Sequence, residues 1–481
     1  MAAQTSPSTS VTRTLAAWIE EVNPSSIPAE IQTRAKYLIL DGLGCALLGS
    51  RLPWSVKAHD AITAIEGTGN CTVIGWNQTL PPTSAALLNS TFLQAFDLDD
   101  YHIEAPIHAS SVILPAVLAA AEQHSNTTST PIPGPQFLTA MIAGYETGPR
   151  VGLALGGSHM LTIGWHSGAI FGPAASAAAV SKLLNLSTDL IEDALGMACT
   201  QACGLMSAQF ESMVKRMQHG FASRSGVLAT YLAREGFTGI KEIFDREYGG
   251  FLGMYSLGAE KEPRFVKEEV SKDLGDVWQT ERIREKPYPL MAGTHCTVDC
   301  VRVLQKEHPE KMRNWKSIVR IEAEMARAAF KKGGWRPERP ATVTGAQMCV
   351  PYAVALQVVD GEIFPGQFAP GKLNRETIWE VINKVECREV EEFDHSWAQR
   401  VKVVFEDGEV LETMLLAPRG VKPALSNEEI LEKWRAVTRG VIPGERQREI
   451  EKVVLNLENV DDVVGKLGGL LAAETVNILE D

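Results

Sequence analysis

The chain has 481 residues, 45% of them hydrophobic and 22% charged, with 46 basic against 59 acidic side chains and a formal net charge of −13. This length exceeds what one hydrophobic core usually supports, so we expect two domains. The acidic balance argues against nucleic acid as a partner, and no apolar run approaches the roughly 20 residues that a membrane-spanning helix needs.

The N-terminal segment and the cysteines predict an intracellular protein. Residues 1–22 are rich in Ser and Thr, then turn amphipathic and acidic, without the apolar run of a secretory signal. Eight cysteines over this length are typical of reduced thiols rather than of a disulfide scaffold. We therefore expect the protein in the cytoplasm.

Residues 27–257 carry helical patterns. The stretch 28–50, PAEIQTRAKYLILDGLGCALLGS, has apolar residues at three- and four-residue spacing and ends in Gly and Ser. Later stretches are rich in Ala and Gly, which let helices approach closely, and so predict buried, tightly packed helices: LTAMIAGYETGPRVGLALGG, SGAIFGPAASAAAVSKLLNL and DALGMACTQACGLMSAQ.

The pattern changes after about residue 260. Residues 261–286 are charged and irregular, and SIVRIEAEMA at 317–326 alternates like a strand. RVKVVFEDGEVLETMLL predicts a hairpin that turns at Asp407-Gly408, while GAQMCVPYAVALQVV predicts an apolar helix. Helices return at SNEEILEKWRAV, where Ser426 and Glu429 have capping-box spacing.

These patterns predict a mainly α protein with a large helical domain and a smaller inserted α+β domain. We place the first part of the helical domain at 1–275, the α+β domain at 276–415 and the C-terminal helices at 416–481. Local pattern alone leaves open whether the C-terminal helices rejoin the first domain.

The segment DLDDYHIEAPIH at 97–108 concentrates ionisable side chains between apolar flanks. Its ionisable members are Asp97, Asp99, Asp100, Tyr101, His102, Glu104 and His108. Burying such groups is costly unless they are paired or used, and a polar loop inside an apolar core favours a functional cleft. A helix-capping loop with hydrogen-bonded histidines is the alternative for any single residue.

A second candidate is His166 in GWHSG, just before the small-residue helix. A helix N-terminus offers free N–H groups and a partial positive charge, so a carboxylate binds well there. A core histidine in a tight turn is the alternative.

The third candidate is the cationic stretch MVKRMQHGFASRSG at 213–226. Helical spacing places Lys215 and His219 on one face, one turn apart. A solvated basic face is the ordinary explanation, but the apolar neighbours indicate that part of this stretch is buried.

The fourth candidate is REKPYPLMAGTHCTVDC at 284–300, where the domains meet. Two prolines fix an extended segment after Lys286, and residues 294–296 can open the next helix. A lysine held at an interdomain cleft suits a carboxylate partner, whereas a rigid linker is the alternative.

Metal and nucleophile signatures are weak. Cys199/Cys203 and Cys296/Cys300 each lie one helical turn apart, but structural zinc usually takes cysteines with two intervening residues. No G-x-S-x-G or P-loop motif occurs, and no dinucleotide-binding fingerprint lies in a strand–helix context. We therefore expect acid–base chemistry without a metal or an organic cofactor.

Taken together, these segments resemble the 2-methylcitrate dehydratase/cis-aconitate decarboxylase family over nearly the whole chain. The resemblance is strongest to the fungal cis-aconitate decarboxylases, through DDYHIEAPIH, CTQACGLMSAQ and VKRMQHGFA. It implies a large all-helical domain built from both termini, a smaller α+β lid, a homodimer, and no metal or organic cofactor. PLMAGTH at 289–295 departs from the cysteine-containing string of the fungal enzymes, which leaves the exact substrate open.

The resemblance also implies a pocket for a tricarboxylate. Its catalytic members here are His108, Asp97, Lys215, His166 and Tyr101, and its substrate-binding members are Lys286 and Tyr352. From the ionisable segments described above, we add His102 and His219 as substrate-binding candidates. Lysines and His166 would hold carboxylates, and the tyrosines would add hydrogen bonds. His108, oriented by Asp97, would donate the proton.

Three functions follow as hypotheses. The first is a decarboxylase of cis-aconitate, or of an alkyl-substituted cis-aconitate, giving itaconate or a related product. The second is a dehydratase of 2-methylcitrate or a longer alkylcitrate, and the third is a catalytically silent binding protein that keeps the fold.

Overall fold

The protein is described from a computed structural model, and the description applies to residues 10–480. Residues 1–9, part of the Ser- and Thr-rich start considered above, lie outside the described residues. The helices before the α+β region are α1 Val11–Glu21, α2 Ala29–Gly49, α3 Pro53–Ile65, α4 Pro82–Leu93, α5 Ala109–Thr128, α6 Gly134–Ala154, α7 His159–Ile163, α8 Ser167–Leu183, α9 Thr188–Thr200, α10 Val214–Arg234 and α11 Phe251–Tyr255.

The remaining helices and the strands follow the predicted change of pattern. The helices are α12 His295–Glu307, α13 Pro309–Arg313, α14 Arg327–Gly333, α15 Val343–Met348, α16 Val350–Asp360, α17 Pro370–Leu373, α18 Glu376–Ile382, α19 Asn427–Thr438, α20 Gly444–Leu455 and α21 Val463–Ala472. The strands are β1 Cys71–Val73, β2 Gln78–Leu80, β3 Tyr101–His102, β4 Ile283–Arg284, β5 Ile318–Met325, β6 Val385–Glu389, β7 Gln399–Phe405 and β8 Val410–Leu415.

Helix α8 is the centre of the helical domain. It packs against α5, α6, α9 and α10, and nearly all of its residues are buried. Its Ala- and Gly-rich sequence allows these close approaches: a Cβ on Gly172 would lie 2.9 Å from Ala222 Cβ. The small-residue stretches therefore form the predicted core helices.

The C-terminal helices rejoin the first domain. Helices α19 and α20 pack against α2, and α21 packs against β1 and α5. The predicted capping box is present, because Ser426 and Glu429 each accept a hydrogen bond from the other's backbone N–H. The mainly α fold with a small inserted sheet domain is confirmed.

The α+β domain is built on a four-stranded sheet in the order β6-β5-β7-β8. Strand β5 pairs parallel with β6 and antiparallel with β7, and β7 forms with β8 the hairpin predicted at Asp407-Gly408. Alternate residues of β7 are buried, and α12 packs against β7 and β8.

Two predicted helices are shorter than expected. The apolar run 345–359 breaks at Cys349, which is extended, and α16 begins just before Pro351, because proline suits the first turn of a helix better than its interior. The run 193–209 is α-helical only to Thr200. Its continuation pairs Leu205 with Trp165 across a short bridge and ends in a 3-10 turn at Met206–Gln209.

The predicted domain boundaries at 275/276 and 415/416 remain predictions. Backbone N–H groups of Gln279 and Thr280 donate to Glu146 in α6, and β4 pairs with β3 in the helical domain. Residues 279–284 therefore contact the helical domain.

Candidate active site

The acidic segment 97–108 forms a buried loop between α4 and α5. Asp97 has a φ of +55°, a left-handed conformation that Asp tolerates better than most residues. The short strand β3 of this loop pairs with β4, and this pairing brings the segment that carries Lys286 next to the loop. His108 is the N-cap residue of α5, so the loop ends where a core helix begins.

Asp97 joins two lysines from distant parts of the chain. Its Oδ1 lies 2.8 Å from Lys215 Nζ and 3.1 Å from Lys286 Nζ, and all three side chains are buried. Burial by itself would raise the pKa of Asp97, but the two ammonium groups and His108 outweigh it and lower that pKa. Asp97 is therefore an ionised carboxylate that holds two cations in place.

The two lysines come from rigid supports. Lys215 stands in the first turn of α10. Lys286 also donates to the Asp97 carbonyl oxygen at 3.1 Å, and its neighbour Glu285 accepts from Arg34 of α2 at 2.6 Å. Both ammonium groups are thus positioned before any ligand arrives.

His108 is oriented by Asp99. His108 Nδ1 lies 3.0 Å from Asp99 Oδ2, which also accepts the Ser111 hydroxyl. Burial opposes ionisation of Asp99, but His108 and Lys286 lower its pKa, so the carboxylate accepts from Nδ1–H and leaves His108 Nε2 for a ligand. The prediction that Asp97 orients His108 is wrong, because Asp97 is occupied by the lysines.

A third histidine lies behind the loop. The ring of His219 stacks edge-on against His108 and His166, with centroid distances of 4.9 and 4.8 Å. Gly168 makes room for it, since a Cβ there would lie 2.3 Å from His219 Nε2. Burial, then the charge of Lys215, lowers the pKa of His166 to about 3, so this imidazole is neutral at pH 7.

A cavity of about 490 Å³ opens between the two domains at this cluster. From the predicted site it is lined by Asp97, Tyr101, His108, His166, Lys215 and Lys286. The α+β domain supplies the opposite wall, with Met291–Gly293, Ala326, Ala328, Ala329, Lys332, Met348 and His395–Gln399. This volume is within the range of about 300–1,000 Å³ that is typical of small-molecule sites.

Three predicted substrate-binding residues do not line this cavity. The hydroxyl of Tyr352 donates to the Leu373 carbonyl at 2.6 Å, deep in the α+β domain. His102 accepts from the Ala105 backbone N–H and contacts Gln279, and His219 lies behind the two cavity histidines. The structure therefore gives none of the three a contact with a ligand in the cavity.

Comparison with known proteins matches two family models to successive parts of the chain. Residues 13–264 match the MmgE/PrpD N-terminal domain, and residues 288–459 match the MmgE/PrpD C-terminal domain. The chain belongs to the MmgE/PrpD family. The cavity of this family member lies where the two matched regions meet.

Fungal relatives in this family cover almost the whole chain. The chain is 45% identical over 475 residues to the cis-aconitate decarboxylase-like protein oryM of Aspergillus oryzae, covering 97% of this chain and 98% of that protein. It is 43% identical over 462 residues to the cis-aconitate decarboxylase of Aspergillus terreus, covering 94% of each. The human cis-aconitate decarboxylase is 26% identical over 467 residues, covering 94% of this chain and 93% of the human protein.

Sequence reasoning missed several residues of the site in this MmgE/PrpD protein. Asp99 stood in the acidic cluster, but nothing in the sequence shows which acid contacts His108. Lys332 and the loop 395–399 carry no motif, and only the packing of the α+β domain on the helical domain brings them to the cavity.

A metal ion fits this site poorly. Ligand atoms of Asp97, Asp99 and His108 lie within 4.8 Å of one another, a grouping that can hold a cation elsewhere. Here Asp97 Oδ1 already contacts two ammonium groups, and a metal ion would face both charges at close range. The two ammonium groups instead suit a bound carboxylate.

Within residues 10–480, no helix combines the length and the apolar character needed to cross a membrane.

Proposed function

We propose that this MmgE/PrpD protein is a cofactor-independent decarboxylase of cis-aconitate, or of an alkyl-substituted cis-aconitate, that forms itaconate or its alkyl homologue and CO₂. The observation that carries the proposal is the convergence of Lys215 and Lys286 with His108 on one cavity. The similarity to fungal proteins named cis-aconitate decarboxylase supports it.

The reaction needs charge stabilisation and one proton. The bond between the CH₂ carbon and its carboxylate breaks, and its electron pair forms a new C=C bond while CO₂ leaves. The pair of the old C=C bond moves to the carbon next to the terminal carboxylate that stays. A proton added to that carbon gives itaconate, so no oxidant or reductant is required.

The lysines match the charge that develops. As electrons reach the retained terminal carboxylate, its negative charge rises, and Lys215 and Lys286 stabilise it. At about 4 Å and an effective dielectric constant near 20, each cation–carboxylate pair offers roughly 4 kcal/mol before desolvation costs. Asp97 holds both ammonium groups in position, which limits the reorganisation needed during reaction.

His108 is the proposed proton donor. With Nδ1–H donated to the ionised Asp99, a protonated His108 carries its second N–H at Nε2, on the side of the ring away from that carboxylate. Asp99 both orients the ring and stabilises its positive charge. The proton thus comes from a group whose geometry is fixed by a buried partner.

Tyr101 and His166 are proposed to donate hydrogen bonds. Burial raises the pKa of Tyr101, so its hydroxyl stays protonated. His166 is neutral at pH 7, so it contributes an N–H dipole to carboxylate binding rather than a positive charge. Together they orient substrate carboxylates without adding charge.

Purified protein incubated with cis-aconitate tests the proposal. Itaconate and one equivalent of CO₂ support it. Hydration to a citrate, or dehydration of 2-methylcitrate without CO₂ release, would replace it with the dehydratase function.

The variant Lys215→Met tests whether the cavity is catalytic. We expect kcat/KM to fall by at least about 100-fold, because a charge-stabilising group is lost. Circular dichroism and thermal melting confirm that the variant folds. Unchanged turnover in a folded variant would contradict the proposed centre.

We also propose that the apolar part of the cavity wall determines which alkyl-substituted substrates the protein accepts. Leu161, Met206, Met291 and Met348 line the cavity and can contact an alkyl substituent. A panel of cis-aconitates with hydrogen, methyl or longer alkyl groups at one carbon would rank kcat/KM and identify the preferred substrate.

We propose a homodimer that uses an exposed face of α10. Val214, Phe221 and Leu228 recur every seven residues on one side of this helix, and each is at least 37% exposed. Met213 extends the same patch and is 53% exposed. Lys215 lies on the buried face of the same helix, so association would stabilise a helix that bears part of the site.

We propose the cytoplasm as the location. All eight cysteines are unpaired thiols in the structure. Unpaired thiols suit a reducing compartment, where small carboxylate metabolites are also present.

A further inference from the structure

The α+β domain contributes one lysine to the cavity that the proposed mechanism has not used. Lys332 stands in the last turn of α14 and lines the cavity from the wall opposite Lys215. Among residues 10–480 its ammonium group has no hydrogen bond or ion pair. Burial alone lowers the pKa of Lys332 to about 8, with no neighbouring carboxylate to offset it.

The charged groups on the helical wall of the cavity are paired with one another. Lys215 and Lys286 both contact Asp97, and Lys286 also lies close enough to Asp99 to lower its pKa. Glu104, at the rim, is paired with Arg282 at 2.9 Å. A polyanion that enters therefore meets paired charges on the helical wall, whereas Lys332 is the lysine with no ion pair among the described lining residues.

We propose that Lys332 is a specificity residue that binds, from the α+β domain, a substrate carboxylate that is retained in the product. This inference rests on the proposed decarboxylase function and divides tricarboxylate recognition between the two domains. One retained carboxylate faces Lys215 and Lys286, and the second faces Lys332.

The chemistry of the leaving group decides which carboxylate Lys332 can hold. A cation paired with the departing carboxylate would stabilise the ground state more than the transition state, because that group loses its charge as CO₂ forms. A cation on the other retained carboxylate, which gains no charge during the reaction, stabilises both states about equally. It therefore contributes to binding without slowing the reaction.

The test compares Lys332→Met with Lys331→Met, an adjacent exposed lysine that does not line the cavity. For Lys332→Met we expect KM for cis-aconitate to rise about tenfold or more while kcat stays within about threefold, because uniform binding is lost. Lys331→Met should match the wild type. Lys332→Arg, which keeps the charge, should recover most of the lost affinity.

Product binding separates the two carboxylates. The Kd of itaconate should rise in Lys332→Met by the same factor as KM, because itaconate keeps the carboxylate in question. An unchanged itaconate Kd together with a raised KM would overturn the inference and place the departing carboxylate at Lys332. A collapse of kcat with KM unchanged would also overturn it, because it would show that Lys332 acts only in the transition state.

Calorimetric binding of tricarballylate, a saturated tricarboxylate, separates this inference from the proposed function. In one outcome, the wild type shows no decarboxylation while Lys332→Met still weakens tricarballylate binding about tenfold. In that case the proposed reaction is wrong, and the assignment of Lys332 to carboxylate binding is supported. If the wild type decarboxylates cis-aconitate and Lys332→Met changes neither KM nor ligand affinity, the role of Lys332 in carboxylate binding is wrong and the proposed reaction is supported.

Discussion

At the scale of single residues, adjacent acids of one loop have opposite electrostatic states. Asp99 contacts His108, and its pKa is lowered despite its burial. Asp100 is equally buried but has no cation beside it, and burial together with the charge of Asp99 raises the pKa of Asp100 to about 8. At pH 7 Asp99 is a carboxylate, whereas Asp100 is a carboxylic acid that accepts the Ser110 backbone N–H.

This contrast makes a matched pair of substitutions. Asp99→Asn should lower kcat/KM by about 100-fold or more, because the amide cannot stabilise the protonated His108. Asp100→Asn should leave activity near the wild-type value, since it replaces one neutral group with another that can still accept from Ser110. Steady-state kinetics at pH 7 decides, and equal losses in both variants would contradict the assignment of Asp99.

At the scale of elements, the C-terminal helix α19 supports the site loop from behind. Lys433 of α19 lies 2.8 Å from Asp41 of α2 and donates to the Leu98 carbonyl oxygen at 2.7 Å. Leu98 stands between Asp97 and Asp99. One buried ammonium group thus connects both ends of the helical domain to the acidic loop.

Lys433→Met should destabilise the protein by about 3–5 kcal/mol, because it leaves Asp41 as an uncompensated buried carboxylate. The double variant Lys433→Met/Asp41→Leu removes the stranded charge and should regain most of that loss. Urea unfolding of the single and double variants measures both values. A double variant no more stable than the single one would show that the ion pair is not the cause.

At the scale of the whole molecule, buried neutral histidines couple stability to pH. Burial lowers the pKa of His102 and of His295 to about 3 each. Between pH 3 and 6.5 the unfolded chain binds protons at these positions and the folded protein does not, so acid favours unfolding. The stabilising contribution is complete above about pH 6.5 and is lost as the pH falls.

The variant His102→Gln isolates one such contribution. Relative to the wild type, its free energy of unfolding should improve by about 2 kcal/mol between pH 7 and pH 5, since one pKa unit corresponds to about 1.4 kcal/mol. Urea unfolding at both pH values gives this difference. A difference between the two proteins that does not change with pH would mean that His102 titrates normally in the folded protein.

Assembly is the second property of the whole molecule. Phe221→Glu on the exposed face of α10 should shift the protein from dimer to monomer, because a charge would be buried at the proposed interface. Lys466→Glu on α21, an exposed position outside the patch, serves as the control and should stay dimeric. Sedimentation velocity measures both, and a wild-type monomer would contradict the dimer.

The sequence by itself determined the fold class and the segments that carry the chemistry. Periodicity and small residues predicted the core helices, the hairpin at Asp407-Gly408 and the capping box at Ser426. His166 was correctly placed before a helix, and Lys215 on a helix face, because these features depend on neighbours within one or two turns.

Only the tertiary structure decided which groups contact each other. In the folded protein, His108 forms a hydrogen bond with Asp99 rather than with Asp97, and the Tyr352 hydroxyl donates to a backbone carbonyl. The fold also places Lys332 at the cavity. The distances between these groups follow from how the helices and the sheet pack. Electrostatic contacts depend on such distances in space rather than on separation along the chain, so the sequence alone does not reveal them.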